Sequence, residues 1–289
     1  MKTSTEIYST AEYVGNEKAI EYVAKAGFDA WDFSMFHIAV CDRKTMTLQP
    51  TNDPVFSSDY IGYCHKLRKI GTGNGIVCNQ SHAPFPSCGT SSIDVLKRSI
   101  ECTAEAGGNI CVIHPNNSQG VEENAEMFRL LLPFAKEHGV KIAAENMFNW
   151  DDDKDCALPA ACSDEKSFVE HLDVVNDPYL VACLDIGHSE MRGLNTSAEK
   201  MILALGDRLQ ALHIHDNNKW EDSHQIPFSM SIDFEKVVAA LKKIGYGGYF
   251  TLESDRYLEG RSADSVFESL CEMSRVARRL ADMFEKAEA

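Results

Sequence analysis

Six of the ten histidines in this 289-residue chain fall at or just beyond short apolar runs. They are His82, His114, His188, His213, His215 and His224. The runs KIAAE and YFTLE deliver Glu145 and Glu253 in the same way. Asp185 and His188 form an Asp-x-x-His element in LDIGH, and Asp222 with His224 forms Asp-x-His in EDSH. Imidazoles and carboxylates are the side chains that coordinate divalent cations. A carboxylate that closes an apolar run is costly to bury unpaired, and a cation removes that cost. The neighbouring runs hold almost no basic residue except Lys141. The chemistry these residues predict is therefore that of a metal centre, with Glu145 and Glu253 as its sharpest pair. His65, His138 and His171 lie on helical stretches and are expected to be solvated or capping, and His37, just past a strand, stays unassigned.

A centre of this kind needs elements that bring the ends of many short strands together. Apolar period and Gly/Pro punctuation mark strands at 28–34, 75–82, 109–115, 140–146, 179–188, 209–217 and 249–254, with a weaker first strand inside 6–14. Helical runs alternate with them at 16–27, from Pro54 onward through Ile61, Cys64 and Leu67, and at 90–107, 120–139, 164–175, 196–207, 232–247 and 262–287. Thr90 or a neighbouring serine is expected to cap the helix at 90–107. The polar stretch 150–166 is expected to be a long loop, a candidate lid or substrate loop. Eight strand-helix units without an intervening linker or low-complexity tract predict a single (β/α)8 barrel domain over 1–289. An open doubly wound sheet would require a GxGxxG turn after the first strand, and the sequence has none. In a barrel the function sits at the C-terminal ends of the strands, where these histidines and acids fall.

Charge narrows the partners. Lys plus Arg 28 against Asp plus Glu 44 gives a net charge of −16, which disfavours nonspecific attraction to nucleic acid or anionic membrane and points to a small-molecule ligand. The ten cysteines are scattered, with no CxxC, several inside apolar runs such as ICVI and VACL, the pattern of buried free thiols. The N-terminal MKTSTEIYST lacks an apolar signal core, and no stretch approaches the roughly 20 apolar residues of a membrane span. The expected compartment is a reducing cytoplasm.

AAEN, LDIGH, LHIHDN and TLES together resemble the xylose isomerase-like barrel superfamily, over nearly the whole chain. That superfamily holds sugar isomerases, keto-sugar 3-epimerases, inosose-processing enzymes and the endonuclease IV group. The resemblance implies that Glu145, Asp185, His213 and Glu253 bind one divalent ion, zinc or manganese. It implies that His188 contacts substrate hydroxyls and that Glu145 and Glu253 move a proton on opposite faces of a metal-held enediolate. His215, beside His213, is expected either to orient substrate or to be hydrogen-bonded inside the barrel mouth. The implied activity is that of a metal-dependent sugar or sugar-phosphate isomerase or epimerase, and the intact acid pair argues against a mere metal-dependent binding protein. The endonuclease IV group adds ligands, and the matching residues here are His82, His114, His188, Asp222 and His224. That fuller set accommodates up to three zinc ions and implies, as the alternative, phosphoester hydrolysis. Against a DNA substrate, the loops that begin at His82 and His114 carry no Lys or Arg, the loop at 149–156 is acidic, and Arg43, Arg192, Lys219, Arg256 and Arg261 are dispersed. Lys219 and Arg192 are expected to be solvated or to receive a phosphate. Trp31, Trp150 and Trp220 are expected at the barrel rim, either stacking on a sugar ring or packing, and Asp32 as a partner behind a metal ligand. A homo-oligomer is compatible with the sequence.

Overall fold

A computed structural model describes residues 1–42, 44–45 and 47–288, so Arg43 lies outside the described residues. Eight strands carry the architecture: β1 (Lys2–Glu6), β2 (Ala30–Ser34), β3 (Val77–His82), β4 (Ile110–Ile113), β5 (Lys141–Glu145), β6 (Leu180–Asp185), β7 (Leu209–His213) and β8 (Tyr249–Leu252). They form one parallel sheet in the order β7-β6-β5-β4-β3-β2-β1-β8. A parallel bridge between Ile214 and Leu252 joins the two ends, closing the expected (β/α)8 barrel. Helices lie between consecutive strands, among them Asn16–Ala26, Tyr60–Gly73, Val121–Glu137 and Phe234–Lys243, and the C-terminal helix Val266–Lys286 follows β8.

Parallel strands covered on both faces read as continuous apolar runs, and LVACLD in β6 is buried at every position. The two-residue period still sorts them. Val112, Ala143, Val181, Cys183 and Ala211 form a small cluster of their own. Their strand neighbours Ile113, Ile142, Ala182, Leu184 and Leu212 join the large core beneath the helices. On the other side the packing is polar but satisfied: Ser4 Oγ donates to Asn79 Oδ1 (2.6 Å), and Asn79 Nδ2 donates to Thr251 Oγ1 (3.1 Å). Register sets the strand ends level, pairing Ser34 with His82 and Asp185 with His213.

The structure corrects several expectations. The first strand is Lys2–Glu6, and Tyr8–Val14, inside the span assigned to it, is a helix. KTSTE has no apolar alternation, and its Thr3, Ser4 and Thr5 are buried because their hydroxyls donate to Asp29 Oδ2, Asn79 Oδ1 and Leu252 O. The segment from Pro54 is a single 3-10 turn, Pro54–Phe56, before the helix begins at Tyr60. The helix near 90 begins at Ile93 after the 3-10 turn Gly89–Ser92 and has no side-chain cap, because Ser92 Oγ instead accepts from the Cys88 N–H (2.8 Å). The stretch at 150–166 is not structureless: Asn149–Asp151 pairs antiparallel with Cys156–Leu158. A second hairpin that the sequence did not announce, Ala39–Asp42 with Thr47–Pro50, follows β2. His171 is buried, with its Nδ1–H donating to Ser167 O (2.7 Å), so it is not solvated.

Candidate metal centre

Because all eight strands run parallel, their C-terminal ends open on one face. His82, Glu145, Asp185 and His213 are the last residues of β3, β5, β6 and β7, while His114 and Glu253 immediately follow β4 and β8. Two sets of donor atoms result.

The first set joins Glu145, Asp185, His213 and Glu253. His213 Nδ1 lies 2.6 Å from Glu145 Oε1 and 3.5 Å from Glu253 Oε2. Its other ring nitrogen faces Asp32 Oδ2 at 3.4 Å, the carboxylate-imidazole arrangement that orients a metal-binding histidine. His82 and His114 stand against the same acids. His82 Nδ1 is 3.0 Å from Glu253 Oε1, His82 Nε2 is 2.9 Å from His114 Nε2, and His114 Nε2 is 3.1 Å from Glu145 Oε2.

The second set is His188, His215, Asp222 and His224. Asp222 Oδ2 lies 3.3 Å from His188 Nε2 and 3.2 Å from His224 Nε2. His215 is fully buried, stacks on His224 at 3.8 Å, and places Nε2 3.1 Å from Asp185 Oδ1. Asp185 thus belongs to the first set and touches the second.

The Asp-x-x-His spacing has a local cause. Asp185 Oδ1 accepts the His188 N–H (2.6 Å), which caps the short helix Ile186–Ser189 and turns the His188 ring back toward the barrel mouth. Asn146, next after Glu145, locks β5 to β6. Its Oδ1 accepts from the Asp185 N–H (2.8 Å) and its Nδ2 donates to Asp185 O (3.0 Å). Its carbonyl accepts from His188 Nδ1 (3.1 Å), leaving Nε2 to face Asp222. The loop bearing Asp222 and His224 is held by Asp216, whose carboxylate accepts the N–H groups of Met230, Ser231 and Ile232, and by Asn217 Nδ2 donating to Gly187 O (2.9 Å). Sequence reasoning did not single out Asn146, although AAEN contains it, nor Asp255, whose Oδ1 lies 3.0 Å from His224 Nδ1.

These donors fit a cation. Glu145 Oε2, Asp185 Oδ2, His114 Nδ1, His188 Nε2, Asp222 Oδ1 and both ring nitrogens of His215 are buried without a hydrogen-bond partner, where buried polar atoms are normally bonded. Among the described residues no lysine or arginine ion-pairs with Asp32, Glu145, Asp185, Asp222, Glu253 or Asp255, and their close charged neighbours are all histidines. Burial works against charge on Glu145, yet His213, His114 and His82 hold it well below the usual carboxylate range. Burial likewise opposes charge on Asp185, which His188 and His215 nevertheless bring down to about 2. On His188 burial is outweighed by Asp185 and Asp222, which raise it to about 10. Glu145 and Asp185 are thus held ionised, and a divalent ion would supply the balancing charge without requiring protonated imidazoles.

The remaining expected residues fall into place separately. Trp31 is fully buried in the core against Phe33 and Gly71, away from the rim. It therefore does not line the site, since its strand position turns it toward the helices. Trp150 and Trp220 are partly exposed and line a rim cleft of about 370 Å³ with Phe148, Met191 and Arg256 beside Asp222. Lys219 pairs with Glu190 (2.9 Å), and the Arg192 guanidinium stacks 3.7 Å from the Trp220 ring, so both cations have partners. Glu6, at the end of β1, was not anticipated. It is buried, accepts from Ser9 N (3.1 Å) and Ser9 Oγ, and burial raises it to about 8.

Fold and donor set together define a β/α barrel with candidate metal ligands gathered at its mouth. The chain belongs to the xylose isomerase-like TIM barrel family, whose model matches residues 20–277. It is 24% identical over 273 residues to the uncharacterized protein MJ1311 of Methanocaldococcus jannaschii, covering 88% of this chain and 84% of that one. Its fold matches a D-tagatose 3-epimerase-like protein with a TM-score of 0.73 at 19% identity, covering 99% of both chains. It also matches the IolI protein solved with a bound zinc atom, with a TM-score of 0.72 at 18% identity over all of both chains. No described helix is long and apolar enough to cross a membrane.

Proposed function

We propose that this protein is a divalent-metal-dependent isomerase or epimerase of a sugar or sugar phosphate. The observation that carries the reading is the convergence of Glu145, Glu253 and His213 Nδ1, with Asp185 completing the set. Family membership and the fold shared with sugar epimerases support it. A bound zinc or manganese ion would polarise a substrate carbonyl and its neighbouring hydroxyl, acidifying the C–H between them. Glu145, held ionised in a buried setting, would take that proton, and Glu253 would return one. His188 and His215, buried at the mouth with free ring nitrogens, are suited to orient hydroxyls.

A second reading, multinuclear phosphoester hydrolysis, is favoured by the donor groupings His82/His114/Glu145 and His188/Asp222/His224. Elemental analysis of the protein purified without added metal, run beside Glu145→Gln and His82→Ala, separates the two. One ion per chain, kept by His82→Ala and lost from Glu145→Gln, is expected for the isomerase. The companion assay incubates the metal-loaded protein with D-fructose, D-tagatose, D-allulose and their phosphates in deuterated water. Deuterium entering next to the carbonyl, and absent with Glu145→Gln, is the expected result. Cleavage of a phosphodiester with no deuterium entering any sugar would sink the isomerase reading.

A further inference from the structure

We infer that Cys41 and Cys88 form a thiol–disulfide modification site, oxidised by a hydroperoxide and restored by a dithiol. Their sulfurs lie 2.9 Å apart although 47 residues separate them in sequence. Cys41 stands on the hairpin strand Ala39–Asp42, and Cys88 in the loop between β3 and the turn Gly89–Ser92. Each sulfur is held in place. Cys41 packs with Phe56 against the small apolar cluster of Ala39, Leu48, Cys88 and Val95, and the Cys88 N–H is bonded to Ser92 Oγ.

Exposure singles this pair out among the ten cysteines. Cys41 is partly exposed, so an oxidant in solution reaches it, and its partner lies directly behind. Cys64 and Cys102 also neighbour each other, but both are buried in the main core. Cys156 and Cys271 are partly exposed and make no thiol contact among the described residues. Cys41, the partly exposed member of the pair, meets the oxidant first, while burial and the adjoining thiol push Cys88 up to about 11.

The Cys41 thiolate attacks one oxygen of hydrogen peroxide, the O–O bond breaks, and the departing hydroxide takes up the proton that Cys41 gave up and leaves as water, giving a sulfenic acid on Cys41. The Cys88 sulfur then attacks the Cys41 sulfur, the S–O bond breaks, and the hydroxyl leaves as a second water with the Cys88 proton. Two thiols have been oxidised and one peroxide reduced to two waters.

The bond would tie together two segments that both wall the metal centre. Phe36, just ahead of the hairpin, lies 5.4 Å from the His82 ring, and Phe85, in the Cys88 loop, lies 4.4 Å from the His114 ring. Oxidation at this pair therefore fixes both aromatic walls relative to each other. The inference stands on this geometry and does not depend on which reaction the centre performs.

The test treats the folded full-length protein with hydrogen peroxide, alkylates the remaining thiols in denaturant, and maps disulfides by peptide mass spectrometry. The expected result is one cross-link, Cys41 to Cys88, with reactive thiols falling from ten to eight, ten minus the two consumed, and recovering with dithiothreitol. Cys41→Ser and Cys88→Ser, each with ten minus one thiols, should keep all nine and form no cross-link. If either variant fails to fold, the wild-type map decides alone. Recovery of Cys41 and Cys88 both alkylated after oxidation, or either one linked to a different cysteine, would overturn the assignment.

Discussion

Gly187 lies between Asp185 and His188, and a methyl group there would strike the second donor set. A Cβ on Gly187 would stand 1.9 Å from His215 Cε1, 2.3 Å from Nε2 and 2.4 Å from Nδ1. Nonbonded carbons settle at about 3.5–4.0 Å, so in Gly187→Ala the imidazole must retreat by roughly 1.5 Å or more. It has little room, being fully buried and already stacked on His224 at 3.8 Å. Overpacking of this kind costs about 1–3 kcal/mol. For a chain of this size each kcal/mol moves the melting temperature by roughly 2–4 °C, so Gly187→Ala should melt roughly 2–12 °C lower without metal. Displacing His215 also disturbs Asp185 and Asp222, which its Nε2 faces at 3.1 and 3.6 Å. Because Asp185 belongs to the first set, zinc affinity there should fall by about 10–100-fold, the range seen when residues supporting metal ligands are disturbed. Calorimetric melting of the metal-free protein and zinc titration against a chromophoric chelator read the two effects. A variant that melts with the wild type and binds zinc equally well would refute the claim that His215 is clamped between Gly187 and His224.

Three further outcomes follow from the same geometry. Asp222→Asn removes the carboxylate shared by His188 and His224, so on the single-ion reading it should leave the metal content at one per chain, whereas on the multinuclear reading it should weaken a second zinc by more than about 100-fold. The ion held through Glu145 and Glu253 should remain, and its loss in the same titration would show that the two sets are one site. Glu6 is raised to about 8, so between about 4.5 and 8 the folded chain holds a proton that the unfolded chain releases. Stability from this group is therefore present at low pH and lost as pH rises through that window. Glu6→Gln, whose amide can still accept from the Ser9 N–H and donate to Ser9 Oγ, should be more stable than the wild type by a few kcal/mol at pH 8 and should flatten that slope. Denaturant melts at pH 5 and pH 8 check it, and an unchanged slope would count against a buried neutral Glu6. Trp150→Phe and Trp220→Phe should leave metal binding intact, since both rings belong to the rim cleft and not to the donor sets; loss of bound metal from either would contradict that separation.

The barrel and most of its donors were legible in the chain itself. Most of the strands are largely apolar runs whose buried faces impose the pattern, and a histidine or carboxylate closing such a run must sit at a strand end whatever the tertiary details. β1 was misplaced because KTSTE is buried through satisfied hydroxyls, a signal invisible to a search for apolar period. The two hairpins were missed because three- and four-residue strands in polar loops leave no periodic trace. What only tertiary structure decided is which donors share an ion's reach. Register and barrel closure bring Glu145 to His213 across 68 residues, Asp32 to His213 across 181, and Glu253 to His82 across 171. The same closure set Asn146 behind His188, aimed Trp31 into the core, and laid Cys41 against Cys88. A linear pattern specifies the face of a strand on which a side chain lies, because that follows from local geometry. It cannot specify the neighbour across the barrel, because that follows from the packing of all eight strands at once.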